Sequence, residues 1–379
     1  MRGCAILRMT ERVMAPVPAG AERLAPRLAP RLAPAFAPRL LPALALPLVL
    51  LLLLALVVVA CGGTRDAQRG SGSREMAAPP APLAVFAAGS LSRPLRAALD
   101  TFRARTGTPY TLETAGSLEL ARRLVDLGKH ADVVALADEE VFPRLLMPSH
   151  VSWYARFARN RLVLAYTANA PGADEAMRGD WRRVLQRPGL DIGRSDPDLD
   201  PAGYRTLMLF QLAERHYREP GLARRLVAAA PRRNVRPKSA ELVALLQANE
   251  LDYAWMYESS ARGARLPFIA LPPDVDLGDE ALAATYATAR VRVLGSAVGD
   301  TLALEGMPIR YGLAIPNDAE HPQAGAEFVR FLFSGEGKRV LRAEYLDALD
   351  APLVVGTGSP PFLDSLRAGG ARGDSARSR

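Results

Sequence analysis

Two consecutive stretches built on one plan limit what this chain can fold into. LAVFAAGSLSRPLRAALDTFRARTG (83–107) reads as an apolar strand, a Gly-Ser turn and a helix whose inner face is Leu95, Ala98, Leu99 and Phe102. YTLETAGSLELARRLVDLGKHADVVALAD (110–138) repeats the plan with an Ala-Gly-Ser turn and then adds a buried strand over 132–137. Strands alternating with helices predict parallel βαβ units and an open α/β sheet. In such sheets ligands bind beyond the carboxyl ends of the strands, and both Ser90 and Ser117 fall there, each where a helix opens.

The rest of the chain continues the alternation. A helix over 139–146, a crossover strand over 160–167 and a short helix over 181–185 precede the segment GRSDPDLDPAGYR (193–205). Asp200-Pro201 reads there as an N-cap followed by proline at the first helical position, where a missing N–H costs nothing. Leu207, Leu209, Phe210, Leu212 and Ala213 supply the buried face of that helix, and the amphipathic pattern leaves Arg205, Glu214, Arg215 and Arg218 in water. A second helix over 221–230 and an extended piece over 235–237 follow. SAELVALLQANELDYAWMYESSA (239–261) then gives helix, turn and strand, with Ser239 as cap and Glu241 in the first turn. After a strand over 267–271, strands over 291–294 and 311–315 return to the first domain, and helices over 323–333 and 336–345 close it. The tail over 353–379 is polar and Gly-rich and reads as disordered.

Residues 1–60 stand apart. Arginines precede a charge-free run over 41–60 that ends in Val-Val-Ala-Cys, the pattern of an export signal whose Cys61 becomes the lipid-bearing first residue of the mature chain. A plain membrane anchor with an incidental cysteine is the other reading, since the run is long enough to span a bilayer. Residues 61–82 suit a flexible tether. Without residues 1–60, the 48 basic and 40 acidic residues fall to 41 and 38. That near-neutral balance removes the argument for nucleic-acid binding. The two cysteines, Cys4 and Cys61, exclude a disulfide framework or a cysteine metal site in the mature chain.

Several chemistries find no support. There is no GxxxxGK[ST] phosphate loop, no HExxH, and no G-x-S-x-G nucleophile elbow, and the four histidines lack ligand spacing. What recurs is a hydroxyl or carboxylate at a helix start: Ser90, Ser117, Asp200 and Ser239. Each alone is an ordinary cap; converging, they describe an oxyanion pocket made of N–H and O–H donors.

Behind an export signal, AAGSLSRPL, TAGSLELARRL, GRSDPDLDPAGYR, RPKSAELVALLQANELDYAWMYESSA and LPPDVDLGD closely resemble the molybdate/tungstate-binding proteins of ABC transporters, of the tungstate-type branch. The resemblance covers most of 83–350. It implies an α/β chain with the type II periplasmic-binding-protein fold, in which two lobes joined by two crossover strands close over the anion: 83–166 with 290–352, and 167–289. It also implies a monomeric, exported, lipid-anchored binding protein with no cofactor beyond its molybdate or tungstate ligand, partnered by an ABC permease. Its implied ligand contacts are Gly89, Ser90, Ser117, Asp200 with the backbone of Pro201 and Ala202, Ser239 and Tyr257, with Asp200 as a direct ligand of the oxyanion's molybdenum or tungsten. Two positions depart from the pattern. Ala202 stands where the family often has cysteine, and Ser239 aligns with a glutamate that binds the metal in some members, so that second carboxylate is either missing or supplied by Glu241. The alternatives are a binding protein for sulfate or phosphate, an exported hydrolase using Asp200 with a serine, and a ligand sensor docked to a membrane kinase.

Overall fold

The computed structural model describes residues 81–295 and 299–364; the export signal, Cys61, most of the tether and the last part of the tail lie outside the described residues. No helix among the described residues is long and apolar enough to cross a membrane.

The first lobe is laid on a six-stranded sheet of order β13-β4-β12-β3-β1-β2. Its inner strands are the expected βαβ units: β1 (Leu83–Ala88), α1 (Ser92–Thr106), β2 (Tyr110–Ala115), α2 (Ser117–Val125) and β3 (Val133–Leu136), with β1 parallel to both β2 and β3. Every residue of β3 is buried, as its unbroken Val-Val-Ala-Leu run requires of a strand covered on both faces. Then β4 (Trp153–Asn160) runs antiparallel to β12 (Ile309–Ala314), and these two strands carry the chain out of the lobe and back.

The second lobe holds a five-stranded sheet of order β7-β6-β8-β5-β9. It is built from β5 (Leu162–Tyr166), β6 (Ile192–Ser195), α3 (Pro201–His216), α4 (Leu222–Ala229), β7 (Val235–Arg236), α5 (Ser239–Gln247), β8 (Tyr253–Tyr257), α6 (Glu258–Gly263) and β9 (Phe268–Ile269). Trp255 of β8 receives Trp181 and Phe210 edge-on, with centroids 5.6 and 5.1 Å away. Edge-to-face rings of this size anchor the lobe's core. In the first lobe Phe102 of α1 packs on Phe328 and Phe331 of α7 (Pro322–Phe333), which is followed by α8 (Gly335–Ala343).

Three boundaries differ from expectation. The apolar run Leu162–Tyr166 pairs with β8 and β9, so the chain crosses between lobes at Arg161, before this strand and not after it. The strand expected to return over 291–294 instead forms a separate two-stranded ribbon, β10 (Arg290–Leu294) with β11 (Thr301–Glu305), and β12 alone makes the return. The tail does not begin at 353: β13 (Asp347–Gly356) continues on the edge of the first sheet, where Leu353 and Val354 pair with Arg156 and Ala155.

Candidate functional site

The structure gathers the helix starts that the sequence singled out. Ser90 lies in a single 3-10 turn, Gly89–Leu91, at the carboxyl end of β1. Ser117 opens α2 after β2, and Ser239 opens α5 after β7. Asp200 caps α3, with its Oδ1 accepting from Ala202 N–H at 3.1 Å, and Tyr257 ends β8. All five are buried.

Contacts join them into a ring that crosses four times between lobes. At Gly89 the backbone comes close to the second lobe, since a Cβ there would lie 3.3 Å from Lys238 Cβ. Next to it, Ser90 Oγ accepts from Tyr311 Oη at 3.0 Å, and the Tyr311 ring meets Tyr257 edge-on with centroids 5.9 Å apart. Tyr257 Oη accepts from Arg205 Nη1 at 2.8 Å, and the same nitrogen donates to Ala137 O at 2.5 Å. Ala137 N–H donates to Ser117 Oγ at 3.0 Å. The start of α2 then meets Leu199, whose carbonyl accepts from Leu118 N–H and Glu119 N–H at 3.1 and 3.4 Å. This approach is why residue 116 is glycine: a Cβ there would sit 2.1 Å from Leu199 O. Asp200 follows, and its Oδ2 accepts from both the N–H and the hydroxyl of Ser239, each at 2.9 Å. Ser239 adjoins Lys238, and the ring closes.

Several expected contacts take a different form. Pro201 has no N–H to offer, and the N–H of Ala202 is engaged by Asp200 itself. The donors of Ser239 also point at Asp200, so in the second lobe the carboxylate and not the helix starts is presented. In α2 the N–H groups after Ser117 are taken by Leu199 O, which leaves Ser117 as that helix's candidate contact. Glu241 sits half-buried in the first turn of α5, and none of the hydrogen bonds to Asp200 comes from it.

Arg205 is the largest departure. The amphipathic pattern placed it in water, yet it is 1% exposed, because both lobes enclose the first turns of α3 and every residue from Pro201 to Thr206 is buried. Its Nη2 stands 3.1 Å from Asp138 Oδ1, an ion pair without the alignment of a hydrogen bond. Tyr204 donates to the other oxygen, Asp138 Oδ2. Burial alone would lower the pKa of Arg205; the Asp138 carboxylate outweighs it and holds the guanidinium charged. Burial pushes the Tyr204 and Tyr257 phenols well above their ordinary value, so both keep their protons. Burial likewise raises the Asp200 carboxyl above its usual range, against the hydrogen bonds from Ala202 and Ser239 that favour the ionised form.

A cavity of about 690 Å³ lies away from this ring, at the crossing between lobes, where Arg159, Arg161, Arg262 and Arg342 face Glu258 and Asp276. Volume and chemistry therefore point to different places. The ring is favoured here, because a small oxyanion needs converging desolvated donors more than room. Among the described residues no cluster of three or more His, Cys, Asp or Glu side chains could hold a metal ion.

Comparison with known proteins agrees with the architecture. The family profile described as "Bacterial extracellular solute-binding protein" matches residues 83–346. A solute-binding protein of Petrotoga mobilis, named as uncharacterized, is 37% identical over 290 residues, spanning 76% of this chain and 90% of the relative. The molybdate/tungstate-binding protein WtpA of Pyrococcus abyssi is 33% identical over 314 residues, spanning 76% and 90%. Among solved structures, the periplasmic molybdate-binding protein of Azotobacter vinelandii superposes with a TM-score of 0.51 at 16% identity, covering 70% of this chain and 98% of that one, which shows the type II periplasmic-binding fold. With these matches and its two lobes, the chain belongs to the family of bacterial extracellular solute-binding proteins, exported binding proteins and not enzymes.

Proposed function

We propose that the ring captures molybdate or tungstate outside the cytoplasmic membrane and that the loaded protein delivers it to an ABC permease. The observation that carries this reading is the treatment of Asp200. A carboxylate has about four acceptor positions. Ala202 N–H, Ser239 N–H and Ser239 Oγ–H donate to this one, and the Ser195 side chain hydrogen-bonds it as well. A carboxylate held this firmly beside a dianion is repulsive unless it bonds to the central atom. Molybdenum and tungsten accept a fifth or sixth ligand, whereas the sulfur of sulfate does not. Asp200 thus rewards the two metal oxyanions and penalises the others.

Serine and tyrosine hydroxyls from both lobes supply the remaining contacts, at Ser90, Ser117 and Tyr257. Arg205 compensates charge from behind Tyr257 without facing the anion itself. The name of the Pyrococcus abyssi relative supports the ligand class. Cys61 bears the lipid that tethers the mature chain to the membrane, with residues 1–60 removed; an intact Ala60–Cys61 bond in the mass of membrane-extracted protein would contradict that anchor. The ligand reading is tested by calorimetric titration of the signal-free chain with molybdate, tungstate, sulfate and phosphate. Heat with the first two and none with the others is expected, and silence with all four overturns it.

A further inference from the structure

A buried hydroxyl has one proton, and whatever donates to its oxygen decides where that proton is directed. Arg205 Nη1 donates to Tyr257 Oη, and a guanidinium never accepts, so the Tyr257 proton points away from it. Ala137 N–H takes an acceptor position of Ser117 Oγ in the same way. For Ser90 the donor is Tyr311, and the polarity of Tyr311 is set one step further back.

Asn160 ends β4 at the crossing between lobes. Its Oδ1 accepts from the backbone N–H of Arg161 at 3.0 Å and of Ser259 at 3.4 Å. Those two donors fix which end of the amide is which. Nδ2 is therefore the atom that faces Ser259 Oγ at 2.7 Å and Tyr311 Oη at 2.9 Å. An amide nitrogen donates and does not accept, so Tyr311 Oη receives, and the phenol proton goes to Ser90 Oγ, 3.0 Å away. Burial pushes the Tyr311 pKa up to about 12, so the proton is present at neutral pH.

We propose that Asn160 is a positioning residue of the binding site: acting through Tyr311, it fills the lone pair of Ser90 and turns the Ser90 O–H toward the anion. The relay runs Asn160 Nδ2–H to Tyr311 Oη, Tyr311 O–H to Ser90 Oγ, and Ser90 O–H to the ligand. It draws on both lobes, since Ser259 pins the amide from the second while Tyr311 and Ser90 belong to the first. The proposal rests on the reading of the ring as an oxyanion site.

Asn160→Asp tests it, because the shape is kept while the donor becomes an acceptor. Tyr311 then gives its proton to the carboxylate, its oxygen must accept from Ser90, and Ser90 presents a lone pair to the anion. With the mature full-length chain and tungstate as the probe, N160D should weaken binding by about 30-fold, the scale of a lost contact to a charged group. Tyr311→Phe should weaken it by less than about 5-fold, since Ser90 is then free to rotate into place. The double variant should bind like Y311F alone, a rescue of N160D by a second deletion. A purely structural role gives losses that add, and a simple effect of the extra negative charge persists in the double variant; either result overturns the relay. Unliganded melting temperatures establish that the variants are folded. Should N160D not fold, Ser90→Ala measured with and without Y311F decides instead: the relay requires S90A to cost at least about threefold less in the Y311F background, and equal costs refute it. Absence of tungstate binding by the unsubstituted protein would overturn the anion site itself, a failure distinct from that of the relay.

Discussion

The ring and the hinge groove lie on the two sides of Asn160, and they handle charge in opposite ways. In the ring, Ser117, Ser239, Tyr257 and Tyr311 are at most 1% exposed, and the ion pair of Arg205 with Asp138 is sealed between lobes. In the groove, Arg161 and Arg262 both pair with Glu258, and Arg159 lies 3.2 Å from Asp347, with each guanidinium close to half exposed. Charge in the groove is plentiful but screened, and exposed pairs of that kind contribute about 0–1 kcal/mol. Charge in the ring is scarce and desolvated, so each group there acts strongly on a small anion and on its neighbours. Room for a ligand and the capacity to hold one are different properties, and here they are found in different places.

Removing one arginine from each region tests this difference most severely. Arg205→Met leaves Asp138 buried with only the neutral donors Tyr204 O–H and Glu140 N–H among its described partners, and loss of one member of a buried pair costs about 3–5 kcal/mol. Melting temperature should fall, and tungstate affinity should fall with it because the two lobes lose a shared contact. Arg161→Met, in the groove, should shift either quantity by less than about 1 kcal/mol. Equal effects from the two would mean that burial does not separate the regions.

A smaller effect is expected at Asp200, and it sharpens the distinction within the ring. Asp200→Ala should weaken molybdate and tungstate binding by about 1.5–3 kcal/mol, the range for a contact involving a charged group, while sulfate binding stays flat or improves. Titration of the variant with all three anions measures this. Uniform weakening would reduce Asp200 to a helix cap.

The smallest effect belongs to the groove. Asp276 is 4% exposed, and burial raises its carboxyl to about 6, against the Gly278 N–H and the Arg161 charge that favour ionisation, with Glu258 and Asp279 adding to the rise. A folded-state value above the unfolded one means that the ionised group costs stability above pH 6, and that this cost vanishes as the pH falls toward 4. Asp276→Asn keeps an acceptor for Gly278 N–H, so it should stabilise the fold by about 1 kcal/mol at pH 8 and by nothing near pH 4. Melting curves at the two pH values decide; a gain that is independent of pH would remove the carboxyl's titration as its cause.

What was legible in the sequence was local. A strand followed by Gly-Ser, or Asp-Pro before an apolar periodic run, marks the end of one element and the start of the next, and so Ser90, Ser117, Asp200 and Ser239 could be named before any coordinates, whereas Tyr257 was named only through the family resemblance. Their partners could not. Asp138 and Arg205 lie 67 positions apart in the chain, and periodicity assigned Arg205 to solvent because it cannot register a helix start enclosed on all sides by a second lobe. Tyr311 looked like an ordinary strand residue, and Asn160 like the first residue of a strand it in fact precedes by a crossing. The lobe boundaries failed for a related reason: Leu162–Tyr166 is apolar enough for either sheet, and pattern alone does not say which neighbours it pairs with.

Tungsten reports the location of the anion directly. Crystals of the signal-free protein grown with tungstate and measured at the tungsten absorption edge should give one anomalous peak inside the ring, bonded to the Asp200 carboxylate and within hydrogen-bond reach of Ser90, Ser117 and Tyr257. A peak among Arg159, Arg161 and Arg262 in the hinge groove, with the ring empty, would contradict the account.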